Sequence, residues 1–349
     1  MATHSSAGNE LRANIELLAE ALTSAQFQSD PALAERYGRV GRLRCLEDAR
    51  FHIAFLAAAV DANSEALFLD YVGWTKTVLV SRRIAPADLR KNLELLEKVV
   101  RSETPAAARV ASPMIRRAVD SIDAMPSDVP TFIDRQSVAG ALASTYLSKL
   151  LEGDTHGSMA VIAEALMQGP DTPNVCSEVL QLAQQEVGRL WQLDEISVAT
   201  EHYCSGVTQQ VIAQICTPRR AAAAGGRLKI VTMCAPGELH DIGLRMVSEF
   251  LRLEHWEVFH LGANVPPRAA VDLCVSRKAD VLVVSVTLPP HIAGVAEVVQ
   301  LARARRELDQ MRVIVGGRAF SKHPEIVKFT GADGYAETSP ELVHLLRSV

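Results

Sequence analysis

The hydrophobic period of this chain changes once, after the small-residue run Ala221-Ala-Ala-Ala-Gly-Gly226, and that change limits the fold more than any other feature. Upstream of it, apolar residues recur at three- and four-residue spacing and nothing alternates like a strand, so the region reads as helix. Downstream, the runs 228–234, 256–261, 281–287 and 312–315 are apolar and β-branched, and each is followed by a helix-length amphipathic stretch. Strands alternating with helices predict a parallel, doubly wound, flavodoxin-like sheet covered on both faces. The expected class is α/β: a helical amino-terminal region and a four-helix bundle, then the sheet.

Punctuation divides the helical part. Helix starts are marked at Ser29-Asp30-Pro31, Asn63-Ser64 and Ala85-Pro86, where capping residues or a first-turn proline precede apolar periodicity. Met125-Pro-Ser-Asp-Val-Pro130 places two prolines where no helix continues, and predicts a boundary. Four more helical patterns follow, with short turns at Glu152-Gly-Asp154, Gln168-Gly-Pro-Asp171 and near Asp194. Short connections imply antiparallel neighbours, hence a bundle. The small residues 221–226 read as a linker. Three domains are expected: 1–130, 131–222 and 223–349.

Charge and composition exclude several classes. With 36 Lys+Arg against 41 Asp+Glu, the chain offers no net basic field for nucleic acid or an anionic membrane. No apolar run reaches the roughly 18 residues of a membrane span, and the polar start MATHSSAGNE lacks the basic and apolar regions of a signal peptide, so a cytoplasmic protein is expected. The six cysteines are scattered without metal-type spacing and read as reduced, buried thiols.

In a doubly wound sheet ligands bind at the carboxyl ends of the strands. Three loops there are rich in Gly, Ser and His: Glu238-Leu-His240-Asp241-Ile-Gly243, Ser285-Val-Thr287 and Gly316-Gly317. On residue chemistry alone His240 is open to three readings, a metal ligand, a catalytic base or an ordinary loop histidine. Together the three elements resemble, in type, order and spacing, the cobalamin-binding signature Asp-x-His-x-x-Gly, Ser-x-Leu, Gly-Gly. The resemblance implies that His240 is the lower ligand of cobalt, that Glu238 accepts the other imidazole N–H, and that Asp241, Ser285 and Thr287 line the site. It also implies that Gly243, Gly316 and Gly317 let the backbone approach the nucleotide tail. Glu238 stands where Asp is commoner and Thr287 where Leu is commoner.

Within the bundle, Trp191 is followed after nine residues by Glu201-His202. This resembles the Trp-x9-Glu-His motif of light-sensing cobalamin proteins, in which the Trp shields an upper adenosyl group and the Glu and His approach the same face. It implies adenosylcobalamin as cofactor, with Trp191, Glu201 and His202 around the upper ligand. Gln192 occupies the position next to the Trp where some of those photoreceptors carry a cobalt-binding histidine.

The amino-terminal region does not read as a winged DNA-binding module. Phe51-His-Ile-Ala-Phe-Leu56 and the run 66–80 are similar to the helical segment of photocobilins, which pair cobalamin with biliverdin. The similarity implies a bilin region in 1–130 with His52, Tyr71, Trp74, Arg82 and Arg83 as available partners; helix packing explains the aromatic residues equally well. The resulting expectation is a non-enzymatic cytoplasmic photoreceptor that contacts no nucleic acid and changes its self-association or protein partner in light. The rival expectation is a corrinoid protein of a methyltransferase system.

Overall fold

The computed structural model describes residues 2–216 and 228–347, so the expected linker 221–226 lies outside the described residues. The chain forms two compact units. One contains Met1–Ser127 with Leu288–Ala293 and Lys322–Thr330; the other contains Asp128–Thr287, Gly294–Ser321 and Gly331–Val349.

The first unit is helical: α1 (Ala2–Ala13), α2 (Ile15–Ser29), α3 (Ala32–Ala62), α4 (Glu65–Ser81), α5 (Pro86–Glu103) and α6 (Pro105–Ser121). The prolines at 86 and 105 stand in the first turns of α5 and α6, where no backbone N–H is needed. Gly38 interrupts α3 at φ 58° and ψ −163°, so α3 is two helices end to end, joined at a residue that pays no Cβ penalty there. Fully buried Leu18, Leu22, Ile53, Leu56, Phe68, Leu93 and Ile115 form the core. Lys76 is buried with its ammonium on the carbonyls of Ile122 (2.8 Å) and Met125 (2.5 Å), satisfying acceptors that the end of α6 leaves open. Asp61 is held by Arg12.

His52 and Tyr71 are both buried here, with His52 Nδ1 2.6 Å from the Tyr71 hydroxyl and Phe55 stacked on the Tyr71 ring. Burial drives the His52 pKa down to about 4 and pushes the Tyr71 phenol up, so both groups stay neutral at pH 7. Trp74 is 41% exposed, and Arg82 donates to the Val78 carbonyl. A cavity of about 80 Å³ lies against His52, Tyr37 and Cys45. That volume suits a few waters, far from the roughly 300 Å³ or more of a ligand pocket.

In the second unit, α7 (Val138–Leu151), α8 (Thr155–Met167), the single turn α9 (Thr172–Asn174), a π-helical stretch Val175–Leu180 running into α10 (Gln181–Gln192), and α11 (Val198–Ile215) make the bundle. Ser137, Asp154, Asp171 and Ser197 each cap a helix start by accepting a backbone N–H three residues on, worth about 1 kcal/mol apiece. The expected turn at Asp194 takes a left-handed backbone, φ 61°.

The sheet then follows: β1 (Lys229–Cys234), α12 (Ile242–Leu253), β2 (Glu257–His260), α13 (Pro267–Arg277), β3 (Val281–Ser285), α14 (Ile292–Arg303), β4 (Arg312–Gly316), α15 (Arg318–Ser321), α16 (Val327–Thr330), β5 (Gly334–Tyr335) and α17 (Ser339–Leu346). All pairings are parallel, in the order β2-β1-β3-β4-β5, the flavodoxin-like arrangement expected above. β5 has no counterpart in the sequence reading, because two residues are too few to show a period.

Bundle and sheet share apolar packing. Met246 and Phe250 of α12 belong to the same buried cluster as Tyr146, Leu150, Cys176, Leu180, Val187, Val211 and Ile212 of the bundle.

Candidate functional site

Strand register brings the three motif elements to one level. Cys234 of β1 pairs with Ser285 of β3, and Ser285 pairs with Gly316 of β4, so the loops bearing His240, Thr287 and Gly317 leave adjacent strands at the same height. Between β1 and β3 the chain also reverses its winding direction, the position where open α/β sheets bind ligands.

The 235–241 loop is tied on two sides. Ala235 donates to the Ser285 carbonyl (3.0 Å), Asn264 donates its backbone N–H to the Glu238 carbonyl (2.8 Å), and the Asn264 side chain accepts from Gly237 (2.9 Å). Asn264 adopts φ 49°, a left-handed conformation that asparagine tolerates, and nothing in the sequence marked it.

Glu238 is fully buried yet charged chemistry converges on it. Its Oε1 accepts His240 Nδ1 at 2.5 Å and the His240 backbone N–H at 3.0 Å, while Oε2 accepts the Thr287 backbone N–H at 2.8 Å. In the neutral ring this contact puts the proton on Nδ1 and the lone pair on Nε2, on a side chain that is 58% exposed. The Glu238 hydrogen bond raises the His240 pKa above its ordinary value against a smaller opposing effect of burial, and the charges of Glu238 and Glu201 add to the rise. Both departures from the cobalamin signature become intelligible. The extra methylene of Glu238 spans from His240 to the loop after β3, and position 287 contributes a backbone N–H, which Thr supplies as well as Leu.

Glu201 and His202 lie in the first turn of α11, just after the Ser197 cap. His202 Nδ1 is 2.5 Å from Glu201 Oε2, and the Ser205 hydroxyl donates to Glu201 Oε1 at 2.7 Å. Glu201 is near enough to act electrostatically on His240, and two turns on, Gln209 Nε2 donates to Asp241 Oδ1 at 3.1 Å. The helix carrying the Glu-His pair therefore stands at the His240 loop. Trp191 is half-buried in the last turn of α10.

The glycines separate into two kinds. A Cβ on Gly316 would come within 2.8 Å of the Ala336 carbonyl, and one on Gly317, at φ 100°, within 2.4 Å of the Val286 carbonyl, so the fold itself demands glycine at both. A Cβ on Gly243 would meet nothing within 4 Å, leaving open space beside the start of α12. Ser285 ends β3 half-buried.

Among the described residues no group of three or more His, Cys, Asp and Glu side chains could hold a bare metal ion. A single anchored imidazole suits a metal whose remaining positions are filled by a ring of its own.

Comparison with known proteins gives a matching picture. The family model described as B12 binding domain matches residues 228–343, and a second B12 binding domain model matches 142–215. The chain is 29% identical over 270 residues to the HTH-type transcriptional repressor CarA of Myxococcus xanthus, covering 76% of this chain and 88% of the repressor. It is 31% identical over 122 residues to the dimethylamine corrinoid protein of Methanosarcina barkeri, covering 35% of this chain and 56% of that protein. The solved monomethylamine corrinoid protein of Methanosarcina barkeri shares the fold, with a TM-score of 0.51, 20% identity, and coverage of 61% of this chain and 98% of that one. Among the described residues no helix is long and apolar enough to cross a membrane.

Proposed function

From the premise that this chain belongs to the cobalamin-binding family, we propose that it is a cytoplasmic light-sensing protein that uses adenosylcobalamin as its chromophore. The residues fit such a cofactor. Glu238 anchors Nδ1 of His240 on a largely exposed ring, so Nε2, once deprotonated, would be available to hold the cobalt. The bound cofactor supplies a cobalt–carbon bond that visible light breaks. His240 would hold its cobalt, with Asp241 fixed beside it by Gln209. The open space beside Gly243 would take part of a nucleotide tail, on the sheet edge where β3 and β4 end at Ser285 and Gly316 and lead to Thr287 and Gly317.

With such a cofactor bound, Trp191 would offer a flat apolar cover and Glu201, held by His202, would accept hydrogen bonds from adenosyl hydroxyls. The observation that carries the reading is the position of α11: one helix bears Glu201 and His202 and also grips the His240 loop through Gln209. Loss of the adenosyl group from the Glu201 side would change the load on this helix, and with it self-association or partner binding. The test is reconstitution with adenosylcobalamin in the dark followed by green light. The reading requires a changed absorption spectrum and a changed oligomeric state or partner affinity; holoprotein unmoved in all of these refutes it.

Biliverdin as a second chromophore rests on the likeness of 51–56 and 66–80 to photocobilins. Such a ligand would need to displace the His52–Tyr71 contact, since the adjoining cavity holds about 80 Å³. A visible bilin band in protein reconstituted with biliverdin tests it.

The similarity to corrinoid proteins favours a second reading, a methyl carrier that presents its cofactor to a methyltransferase. Demethylation of the methylcobalamin-loaded chain by a thiol acceptor in the dark, with no response to light, would select that reading.

A further inference from the structure

The Glu201 carboxylate is anchored from behind. Ser205, one turn along α11, donates to Glu201 Oε1 at 2.7 Å, and its hydroxyl also lies 3.2 Å from Gln184 Oε1 on α10. A hydroxyl has one proton, so the shorter contact, to the charged acceptor, takes most of it. Behind Ser205 the chain of polar contacts continues inward: Gln184 Nε2 donates to Thr208 Oγ1 at 2.7 Å, and Thr208 Oγ1 lies 2.9 Å from the Tyr146 hydroxyl. Thr208 and Tyr146 are completely buried, and burial pushes the Tyr146 phenol up to about 12, so it remains a neutral hydroxyl. This path runs from the core of the bundle, across three helices, to one carboxylate.

We propose that Ser205, backed by Gln184, is a positioning residue that makes Glu201 selective for an upper ligand bearing hydroxyl groups. A carboxylate has about four acceptor positions. Ser205 takes one on Oε1 and His202 Nδ1 faces Oε2, which fixes the plane of the group and leaves acceptor capacity on both oxygens for a neighbouring pair of hydroxyls. An upper methyl group donates no hydrogen bond and draws nothing from that orientation. Ser205 therefore acts on the difference between the two upper ligands rather than on cofactor affinity in general. The inference rests on the reading of Glu201 given above.

The test measures dissociation constants for adenosylcobalamin and methylcobalamin by absorption difference in the dark, for the full chain and for Ser205→Ala, Ser205→Thr and Gln184→Leu. Ser205→Ala is expected to weaken adenosylcobalamin about tenfold while methylcobalamin stays within about twofold, as for the loss of one hydrogen bond to a charged group. Ser205→Thr, which keeps the hydroxyl, restores the preference, and Gln184→Leu moves the ratio the same way by less. A purely structural role would weaken both forms together and leave the ratio unchanged, which overturns the proposal. A wild-type chain that prefers the adenosyl form with Ser205→Ala showing the same preference overturns the proposal alone. A wild-type chain that binds both forms equally overturns the role of Glu201 as well.

Discussion

Glu238→Gln isolates what the buried carboxylate contributes. The wild-type side chain accepts His240 Nδ1–H and the His240 backbone N–H on one oxygen and the Thr287 N–H on the other. Glutamine has the same shape and only one acceptor oxygen. With that oxygen toward His240, its NH2 group faces the Thr287 N–H, donor against donor; turned round, it loses the His240 backbone N–H and can keep Nδ1 only by donating to it, which puts the ring proton on Nε2. The less costly arrangement leaves one part-buried backbone donor unpaired, about 1–3 kcal/mol. The exchange also removes the negative charge that sustains the His240 tautomer, and outer partners of a metal-ligating histidine typically change metal affinity by about 10–100-fold. Urea denaturation of cofactor-free Glu238→Gln should therefore show a loss of about 1–3 kcal/mol. Titration with cobalamin in the dark should show a dissociation constant raised about 10–100-fold. A variant with wild-type stability and an affinity within about threefold of wild type would refute the assignment of Glu238 as the group that holds the ring.

The same site and fold set further expected outcomes. Because Glu238 raises the His240 pKa, the proton competes with cobalt at a higher pH than for an ordinary histidine: histidine ligation, followed by absorption, should weaken as pH falls through that raised value. In the cofactor-free protein the sign is opposite, the protonated pair stabilising the fold below the ordinary pKa and losing that contribution as pH rises through the raised one, visible as a pH-dependent midpoint that Glu238→Gln abolishes. Gly243→Ala, in helix α12 with open space around it, should leave thermal stability unchanged or slightly higher yet weaken cobalamin binding if the nucleotide tail uses that space, whereas Gly317→Ala, at φ 100° against the Val286 carbonyl, should cost about 1–3 kcal/mol or more by chemical denaturation. Lys76→Met keeps the apolar stem but strips the Ile122 and Met125 carbonyls of their donor, and should destabilise the amino-terminal unit by about 2 kcal/mol in the same assay.

What was legible in the residues follows what local patterning can encode. The change of period located four strands, the proline at 86 marked a helix start in the first turn of α5, and the pairing of His240 with Glu238 was legible through the resemblance of the loop to the cobalamin signature. Thr287 acts through its backbone N–H, so no side-chain pattern could announce it, and the role of Asn264 depends on a left-handed turn shared with a loop some twenty-five residues away in sequence. Gln209, Ser205 and Gln184 look like ordinary polar positions on amphipathic helices until the packing of α10, α11 and the His240 loop brings them together. The π-helical stretch 175–180 and the glycine break at 38 likewise sit inside uninterrupted helical periodicity. The assignment of 288–293 and 322–330 to the helical unit depends on long-range contacts that periodicity does not carry.

The shared core between the bundle and α12 bears on how the chain is made. Synthesis runs from the amino terminus at roughly 5–20 residues per second. The bundle helices emerge first, but their core lacks Met246 and Phe250 until α12 has left the ribosome, so the nascent bundle waits with an apolar face uncovered. A ribosome stalled before α12 would therefore hold a chain whose bundle core is still open on the side that Met246 and Phe250 close.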